Sequence, residues 1–193
     1  MLRELGGGLF ATPFDRTPLD PGYIKGYIPG TRENGGQYTH AAVWLGMACA
    51  AAGRHRTAWD ISRLINPLNH ADSAEAVGRY RVEPYVVAAD VYRGRGYTGR
   101  GGWTWYTGSA GWMQRFLVES LLGLRVRDGA LHMTPHLPEG WPGYRIDYRH
   151  GDTQYRIDVV RGETGTRGAP ATSRIPLSDD GGVKHVRVEA GGD

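Results

Sequence analysis

The chain has 193 residues, 40% of them hydrophobic and 22% charged, and a formal net charge of +3. This balance permits a real core and argues against a disordered polar chain. No apolar run approaches the ~20 residues of a membrane span, the first residues lack a signal peptide's apolar stretch, and acids interspersed among the arginines leave no strong basic face.

Residues 1–36 read as irregular, because Gly6-Gly7-Gly8 and then Pro13, Pro18, Pro21 and Pro29 interrupt any period. The stretch Thr31-Arg32-Glu33-Asn34-Gly35-Gly36-Gln37-Tyr38-Thr39-His40 is too polar for a core and too specific for a linker. From Gln37 the pattern turns helical. Ala41, Trp44, Leu45, Ala48, Cys49 and Ala52 recur at three- and four-residue steps, and Gly53 suits the position just past the helix end. Cys49, the only cysteine, is expected as a buried structural thiol, which fits a reducing compartment.

A second helix is expected from His55 to Asn66, with Ala58, Ile61 and Ile65 on one face and Pro67 as its stop. Ser73 can cap a short helix through Arg79. Glu83-Pro84 is expected to open another, running to Tyr92. The clearest helix spans Ser109 to Leu122, with Trp112, Met113, Phe116, Leu117 and Leu121 on one side and Gly123 past its end.

After Gly123 the period becomes two. Leu131 and Met133, then Tyr144, Ile146 and Tyr148, then Tyr155, Ile157 and Val159 alternate with polar neighbours, as half-buried antiparallel strands do. Residues 162–173 read as a Gly/Thr/Ala/Pro loop, and Val183 to Val188 as a last strand. The fold class is therefore α+β, a helical part followed by a small antiparallel β domain. The helices are too few to close a globule around the polar strips, so the chain reads as the tail of something longer.

Two strips could carry chemistry. Thr107-Gly108-Ser109 opens a helix, whose first turn offers unpaired N–H groups and partial positive charge to an anion such as phosphate. An ordinary N-cap is the plainer explanation. His40 could give an N–H to the same anion, with a satisfied core histidine as the plain alternative. Arg32 and Glu33 could bind sugar hydroxyls or form a surface ion pair. Trp103, Trp105 and Tyr106 could stack on a pyranose face or serve as core aromatics.

Other patterns carry less. Gly94-Arg95-Gly96-Tyr97-Thr98-Gly99 fits a dinucleotide-binding spacing, but no helix pattern follows it. Arg93 to Gly102 has the composition of an Arg-Gly RNA-binding box in a single copy. His132 and His136 are separated by Pro135 and cannot share a helical face as metal ligands, so no metal site is expected.

Tyr27 to Gly36 (YIPGTRENGG), Gln37-Tyr38-Thr39-His40, Asn66-Pro67-Leu68-Asn69-His70, Tyr80 to Tyr92 and Gly99 to Trp112 closely resemble, in this order, the C-terminal part of glycoside hydrolase family 94. These are the cellobiose- and chitobiose-phosphorylase-like enzymes. The wording is most similar to the C-terminal region of cyclic β-1,2-glucan synthases and of β-1,2-oligoglucan phosphorylases. The resemblance implies the C-terminal part of an (α/α)6 barrel catalytic domain over 37–123, after the irregular 1–36, with the β domain over 124–193.

It also implies an inverting glycoside phosphorylase acting on β-linked glucan, with inorganic phosphate as attacking co-substrate and no cofactor. His40, Thr107 and Gly108 match the family's phosphate-binding positions. Arg32 and Glu33 match the acceptor-sugar positions, with Gln37, Tyr38 and Trp105 as further sugar contacts. Cellobiose-type members tend to carry Lys where Arg32 stands and Gln near Ala88-Ala89, which points away from a cellobiose-specific enzyme.

No catalytic residue is assigned within the chain, because the family's general acid Asp lies upstream of these motifs. The chain is therefore expected to be a C-terminal fragment, inactive alone. Its expected partners are a β-glucan oligosaccharide, phosphate and the missing N-terminal part of the same enzyme, with no nucleic acid and no membrane contact; a homodimer is left open. The expected place is the cytoplasm, including the cytoplasmic part of a membrane-bound synthase. The rival readings are a non-catalytic carbohydrate-binding module and an RNA-binding protein using Arg93, Arg95 and Arg100.

Overall fold

A computed structural model describes residues 13–162 and 172–191. These form two compact units. One holds the described residues up to Ala48 together with Asp60–Gln114; the other holds Cys49–Trp59 with the described residues from Arg115 onward. The change from helix to strand falls at Gly123, whereas the compact units divide before Arg115.

The described residues include four α-helices: α1 (Thr39–Ala51), α2 (His55–Ile65), α3 (Ala74–Tyr80) and α4 (Thr107–Arg115). Their ends follow local chemistry. Gly53 takes φ +73° after α1, and Arg54 N–H donates to the Cys49 carbonyl at 2.8 Å while Gly53 N–H donates to that of Ala50 at 3.1 Å. This closes the helix with a glycine cap. Ser73 caps α3, its hydroxyl accepting from Ala76 N–H at 3.2 Å. Ala58, Ile61 and Ile65 are buried on α2 as their spacing predicts.

The buried face of α1 differs from the expectation. Ala42, Val43 and Ala50 are buried, while Trp44 and Leu45 are 51% and 52% exposed. Cys49 is half-buried rather than buried. The helix is apolar nearly all round, so periodicity gave no direction, and its small side chains let neighbours approach most closely.

The helix expected from Glu83 to Tyr92 is absent. In its place Asp90–Val91 forms strand β2, antiparallel to β1 (Gln37–Tyr38), with Gln37 opposite Val91 and Tyr38 opposite Asp90. The competing bonds are long-range. Thr39 N–H donates to the Ala89 carbonyl at 2.9 Å, Ala89 N–H to that of Trp103 at 2.7 Å, and Gly102 N–H to that of Asp90 at 2.8 Å. Residues 89–92 thus run between two neighbouring segments, and the β-branched Val91 suits that better than a helix. The Gly94–Gly99 spacing lies in the turn beyond β2, where Tyr92 N–H donates to the Arg100 carbonyl at 2.8 Å and Gly99 N–H to that of Tyr92 at 2.9 Å. No helix follows it, as a dinucleotide site requires.

The last helix continues past Arg115 as a π-helix over Phe116–Leu121, with Leu122 N–H bonded to the Leu117 carbonyl five residues back at 2.9 Å. Phe116 and Leu121 are both fully buried, and the wider turn brings this five-residue step onto one side, where an α-turn would not.

Among the described residues beyond Gly123 there are two three-stranded sheets. One has β3 (Leu124–Arg127), β4 (Ala130–Met133) and β7 (Ser173–Pro176) in the order β3-β4-β7; the other has β5 (Gly143–His150), β6 (Thr153–Arg161) and β8 (Val183–Ala190) in the order β5-β6-β8. Strands β3 and β7 were not expected. Residues 163–171 of the expected 162–173 loop lie outside the described residues.

The domain is not purely antiparallel, because β8 pairs with β6 in parallel, Gln154 opposite Val183. After β7 the chain passes from one sheet to the other instead of turning back as a hairpin. Asp180 and Gly181 N–H groups anchor this passage on the buried Thr153 hydroxyl at 2.8 and 3.1 Å. Alternation reports which face a residue uses but not strand direction. Leu124, Leu131, Met133, Leu137, Tyr155, Ile157, Val159 and Val188 join both sheets in one core, each buried aliphatic side chain contributing about 1.5–3 kcal/mol.

Gly123 holds the junction between helix and sheet. It takes φ +73°, and a Cβ there would stand 2.4 Å from the Thr134 carbonyl carbon and oxygen. Gly129, at φ +63°, has open space around it. Urea unfolding should therefore show Gly123→Ala losing about 2 kcal/mol or more and Gly129→Ala about 1 kcal/mol. Equal losses would remove the close-approach argument.

Candidate functional site

The polar strip after Gly30 is folded inward rather than exposed. Asn34 is fully buried, and Gln37 and Thr39 are nearly so. The Asn34 amide donates to the Tyr27 carbonyl at 2.8 Å and its oxygen accepts from Phe14 N–H at 2.6 Å. A strip judged too polar for a core thus enters one because its groups satisfy each other. Gln37 sits in β1, with its amide only loosely directed at the Thr39 hydroxyl, at 3.5 Å.

Arg32 and Glu33 form a mostly buried pair, Nε to Oε2 3.6 Å, with side chains 13% and 15% exposed. The surface ion pair is thereby set aside. The Arg32 guanidinium lies 4.1 Å from the Trp103 ring centre, 5.5 Å from that of Tyr27 and 5.9 Å from that of Tyr38. Such stacking orients the cation. Arg32 Nε and Nη1 and Glu33 Oε2 are buried without hydrogen-bond partners. Buried charged groups with bonds unmade suit a polyhydroxylated ligand that would complete them.

Asp90, which no sequence pattern singles out, is central here. Its side chain is fully buried. Oδ2 accepts the Arg32 backbone N–H at 2.8 Å, and Oδ1 has no hydrogen-bond partner. Burial pushes its pKa above the ordinary carboxylate value; the Arg32 N–H and charge oppose this, Glu33 adds to it, and the Trp103 N–H opposes it. The only signal available in the sequence was one acid inside an apolar Val-Ala run.

Trp103, Trp105 and Tyr106 are 51%, 68% and 46% exposed, so none is a core aromatic. Trp103 stacks with Tyr106 at 5.7 Å. Trp105 adopts φ +65°, an outlier for a bulky residue. Its indole N–H donates to Glu83 Oε1 at 3.3 Å and its ring meets Tyr85 edge-on at 6.3 Å. Backbone held in this region is costly and concentrates at ligand-gripping segments.

His40 and the start of α4 come together. A Cβ built on Gly108 would lie 4.0 Å from His40 Cε1 and Nδ1. His40 is the second residue of α1, and its ring packs edge-on against Trp44 at 4.6 Å and tilted against Trp112 at 6.2 Å. Its Nε2 is buried without a hydrogen-bond partner, so this is not a satisfied core histidine. Thr107 is the exposed first residue of α4, and among the described residues its hydroxyl has no partner. The Thr39–Ala89 and Ala89–Trp103 backbone bonds tie this corner to the Arg32 corner through residues 89–90.

Residues 1–123 match the description "Glycosyl hydrolase 94 superfamily, catalytic domain", well over half of the chain. The chain belongs to the glycosyl hydrolase 94 superfamily. Residues 124–181 match "Glycosyl hydrolase family 65, C-terminal domain".

Three relatives set the context for this superfamily member. The cyclic beta-(1,2)-glucan synthase NdvB of Rhizobium meliloti is 55% identical over 153 residues, covering 79% of this chain and 5% of that protein. The N,N'-diacetylchitobiose phosphorylase of Vibrio proteolyticus is 28% identical over 198 residues, covering 97% of this chain and 24% of the enzyme. The 1,2-beta-oligoglucan phosphorylase of Listeria innocua is 30% identical over 155 residues, covering 68% and 14%. The chain thus spans no more than 24% of any of these three. Among the described residues no helix is long and apolar enough to cross a membrane, and no group of three or more His, Cys, Asp or Glu residues gathers as a metal site.

The raised Asp90 pKa fixes the sign of a pH effect. Below about pH 4 the carboxyl is protonated in folded and unfolded chains alike. Between its ordinary and its raised value only the folded chain keeps the proton, so this group's contribution to stability is present at low pH and lost as pH rises through that window. Urea unfolding followed by tryptophan fluorescence from about pH 4 upward should show this decline, and Asp90→Asn should flatten it. A wild-type and Asp90→Asn pair with parallel pH profiles would contradict the assignment.

Proposed function

We propose that this chain carries the phosphate-binding and acceptor-sugar portions of an inverting β-glucan phosphorylase site, with a β-1,2-linked glucan as its saccharide. The observation that carries the reading is the meeting of two helix starts: the His40 imidazole, Nε2 unpartnered, lies against Gly108 at the first turn of α4. There the backbone N–H groups of α4, the Thr107 hydroxyl and the His40 imidazole can hold one phosphate. Gly108 leaves room for the anion to reach the backbone. Arg32 and Glu33 would hold hydroxyls of the acceptor sugar, with Gln37, Tyr38 and Trp105 around them.

In the reaction, a phosphate oxygen attacks the anomeric carbon as the glycosidic bond breaks. A carboxylic acid gives its proton to the departing sugar oxygen, and the products are a sugar 1-phosphate with inverted configuration and a shortened glucan. His40 and the α4 N-terminus keep the dianion aimed and partly neutralised. Phosphate is a co-substrate, and no cofactor is assigned. The proton donor is assigned to none of these 193 residues, so the chain by itself is inactive. Helices α1–α4 belong to an (α/α)6 barrel, a reading supported by α1, which is apolar nearly all round yet leaves Trp44 and Leu45 uncovered. The domain limits proposed are 37–123 for the barrel part and 124–193 for the β part, and the place of action is the cytoplasm.

Phosphate titration of the chain, followed by calorimetry or ³¹P NMR, tests this reading. Binding should weaken about tenfold in His40→Ala and several-fold in Thr107→Val. With phosphate and β-1,2-glucan the chain should release no glucose 1-phosphate. Unchanged phosphate affinity in both variants would sink the anion site, and steady sugar phosphate release would sink the assignment of the proton donor outside the chain. Glucan binding indifferent to phosphate, with no phosphate bound, would mark a lectin-like module instead.

A further inference from the structure

Arg32 presents a problem of placement. It sits at φ +46°, a left-handed backbone that branched and long side chains adopt rarely. Its guanidinium is nevertheless held over Trp103, a residue more than seventy positions away in sequence. The backbone neighbours of Arg32 do not explain this alone, since the nearby turn bonds use the Thr31 and Arg32 carbonyls rather than the Arg32 N–H. That N–H goes to Asp90 Oδ2 at 2.8 Å, across 58 residues.

The same Asp90 organises the Trp103 side. Its carbonyl accepts from Gly102 N–H at 2.8 Å, and the Trp103 N–H favours its charged form. The fit against residue 102 is close: a Cβ there would lie 2.0 Å from Asp90 Oδ1 and 3.0 Å from Tyr92 Cε1. Only glycine leaves that space for the carboxyl group. One buried carboxylate thus meets the strip that carries Arg32 and Glu33 and the strip that carries Trp103.

We infer that Asp90 is the positioning residue of the sugar-binding corner: by accepting the Arg32 amide across a wall that only Gly102 permits, it fixes the backbone of Arg32 and sets the guanidinium against Trp103. It touches no substrate and transfers no proton. This rests on the acceptor-sugar reading above and adds to it the group that holds the site in shape. Asn at this position keeps an oxygen acceptor of the same shape and loses the charge; Ala loses both. Ala at 102 attacks the same contact from the other side.

The test uses the whole chain with two independent readouts. The first is hydrogen exchange of the Arg32 amide, which needs no ligand. The second is quenching of tryptophan fluorescence by a β-1,2-linked gluco-oligosaccharide. In Asp90→Ala and Gly102→Ala the Arg32 amide should exchange about tenfold faster, with oligosaccharide affinity reduced by a similar factor. Asp90→Asn should restore most of the protection lost in Asp90→Ala.

Arg32 exchange unchanged in Asp90→Ala and Gly102→Ala overturns the inference. Should Asp90→Ala fail to fold, Gly102→Ala and Asp90→Asn decide it: faster exchange with weaker sugar binding in Gly102→Ala, and near-native behaviour in Asp90→Asn, support it, while a Gly102→Ala chain identical to the parent overturns it. A parent chain that shows Asp90-dependent protection of Arg32 but binds no oligosaccharide leaves the positioning role standing and defeats the acceptor-sugar reading instead.

Discussion

The helical unit depends on one buried hydrogen bond, from the backbone amide of Arg32 to the carboxylate of Asp90. A carboxylate with no exposure to water is costly unless its oxygens are met by donors. Its nearest donors are backbone amides, and backbone amides move only with their chain segments. Meeting that cost therefore locks segments together: residues 30–36 on one side, 100–103 on the other, and 89–92 between them. The start of α1 is drawn into the same arrangement, because Thr39 bonds to Ala89. His40 follows Thr39, so the placement of the imidazole near α4 rests on the same central segment.

The resulting site has two unlike corners. Around Arg32 the polar groups are buried and incompletely bonded, and aromatic rings hold the guanidinium in place. Around His40 the chemistry is that of a helix N-terminus, with an exposed Thr-Gly step and one imidazole nitrogen left without a partner. The first suits hydroxyl groups presented on a rigid ring; the second suits a compact anion. The proposed transfer of a glycosyl group onto phosphate would use both kinds of binding. The β unit carries none of these residues. Its own logic is a shared apolar core between two sheets and a passage pinned on Thr153.

Parts of this were legible in the residues. The ends of α1 and α3 follow from Gly53 and Ser73, because a cap is chemistry within a few residues. The face of α2 and the alternation of β5 and β6 follow from spacing for the same reason. The strips around Arg32, His40 and Thr107 could be singled out by their composition, and their order along the chain was enough to indicate the family. Against this, the run from Glu83 to Tyr92 carries a proline at a favourable place and several helix-tolerant residues, and it still forms turns that end in the two-residue strand Asp90–Val91. Bonds to residues 37–39 and 100–103 outcompete a local helix, and nothing within the run announces them.

What the chain determined by itself, then, is its helix caps, its periods and the chemical character of its two polar strips, since each depends on neighbours within a turn or two. What only the tertiary structure decided is the buried face of α1, the parallel entry of β8, the inward folding of the Asn34 strip and the part taken by Asp90. Each of these is set by a contact between residues remote in sequence, where the free energy comes from burying a group against a partner that no local pattern can name.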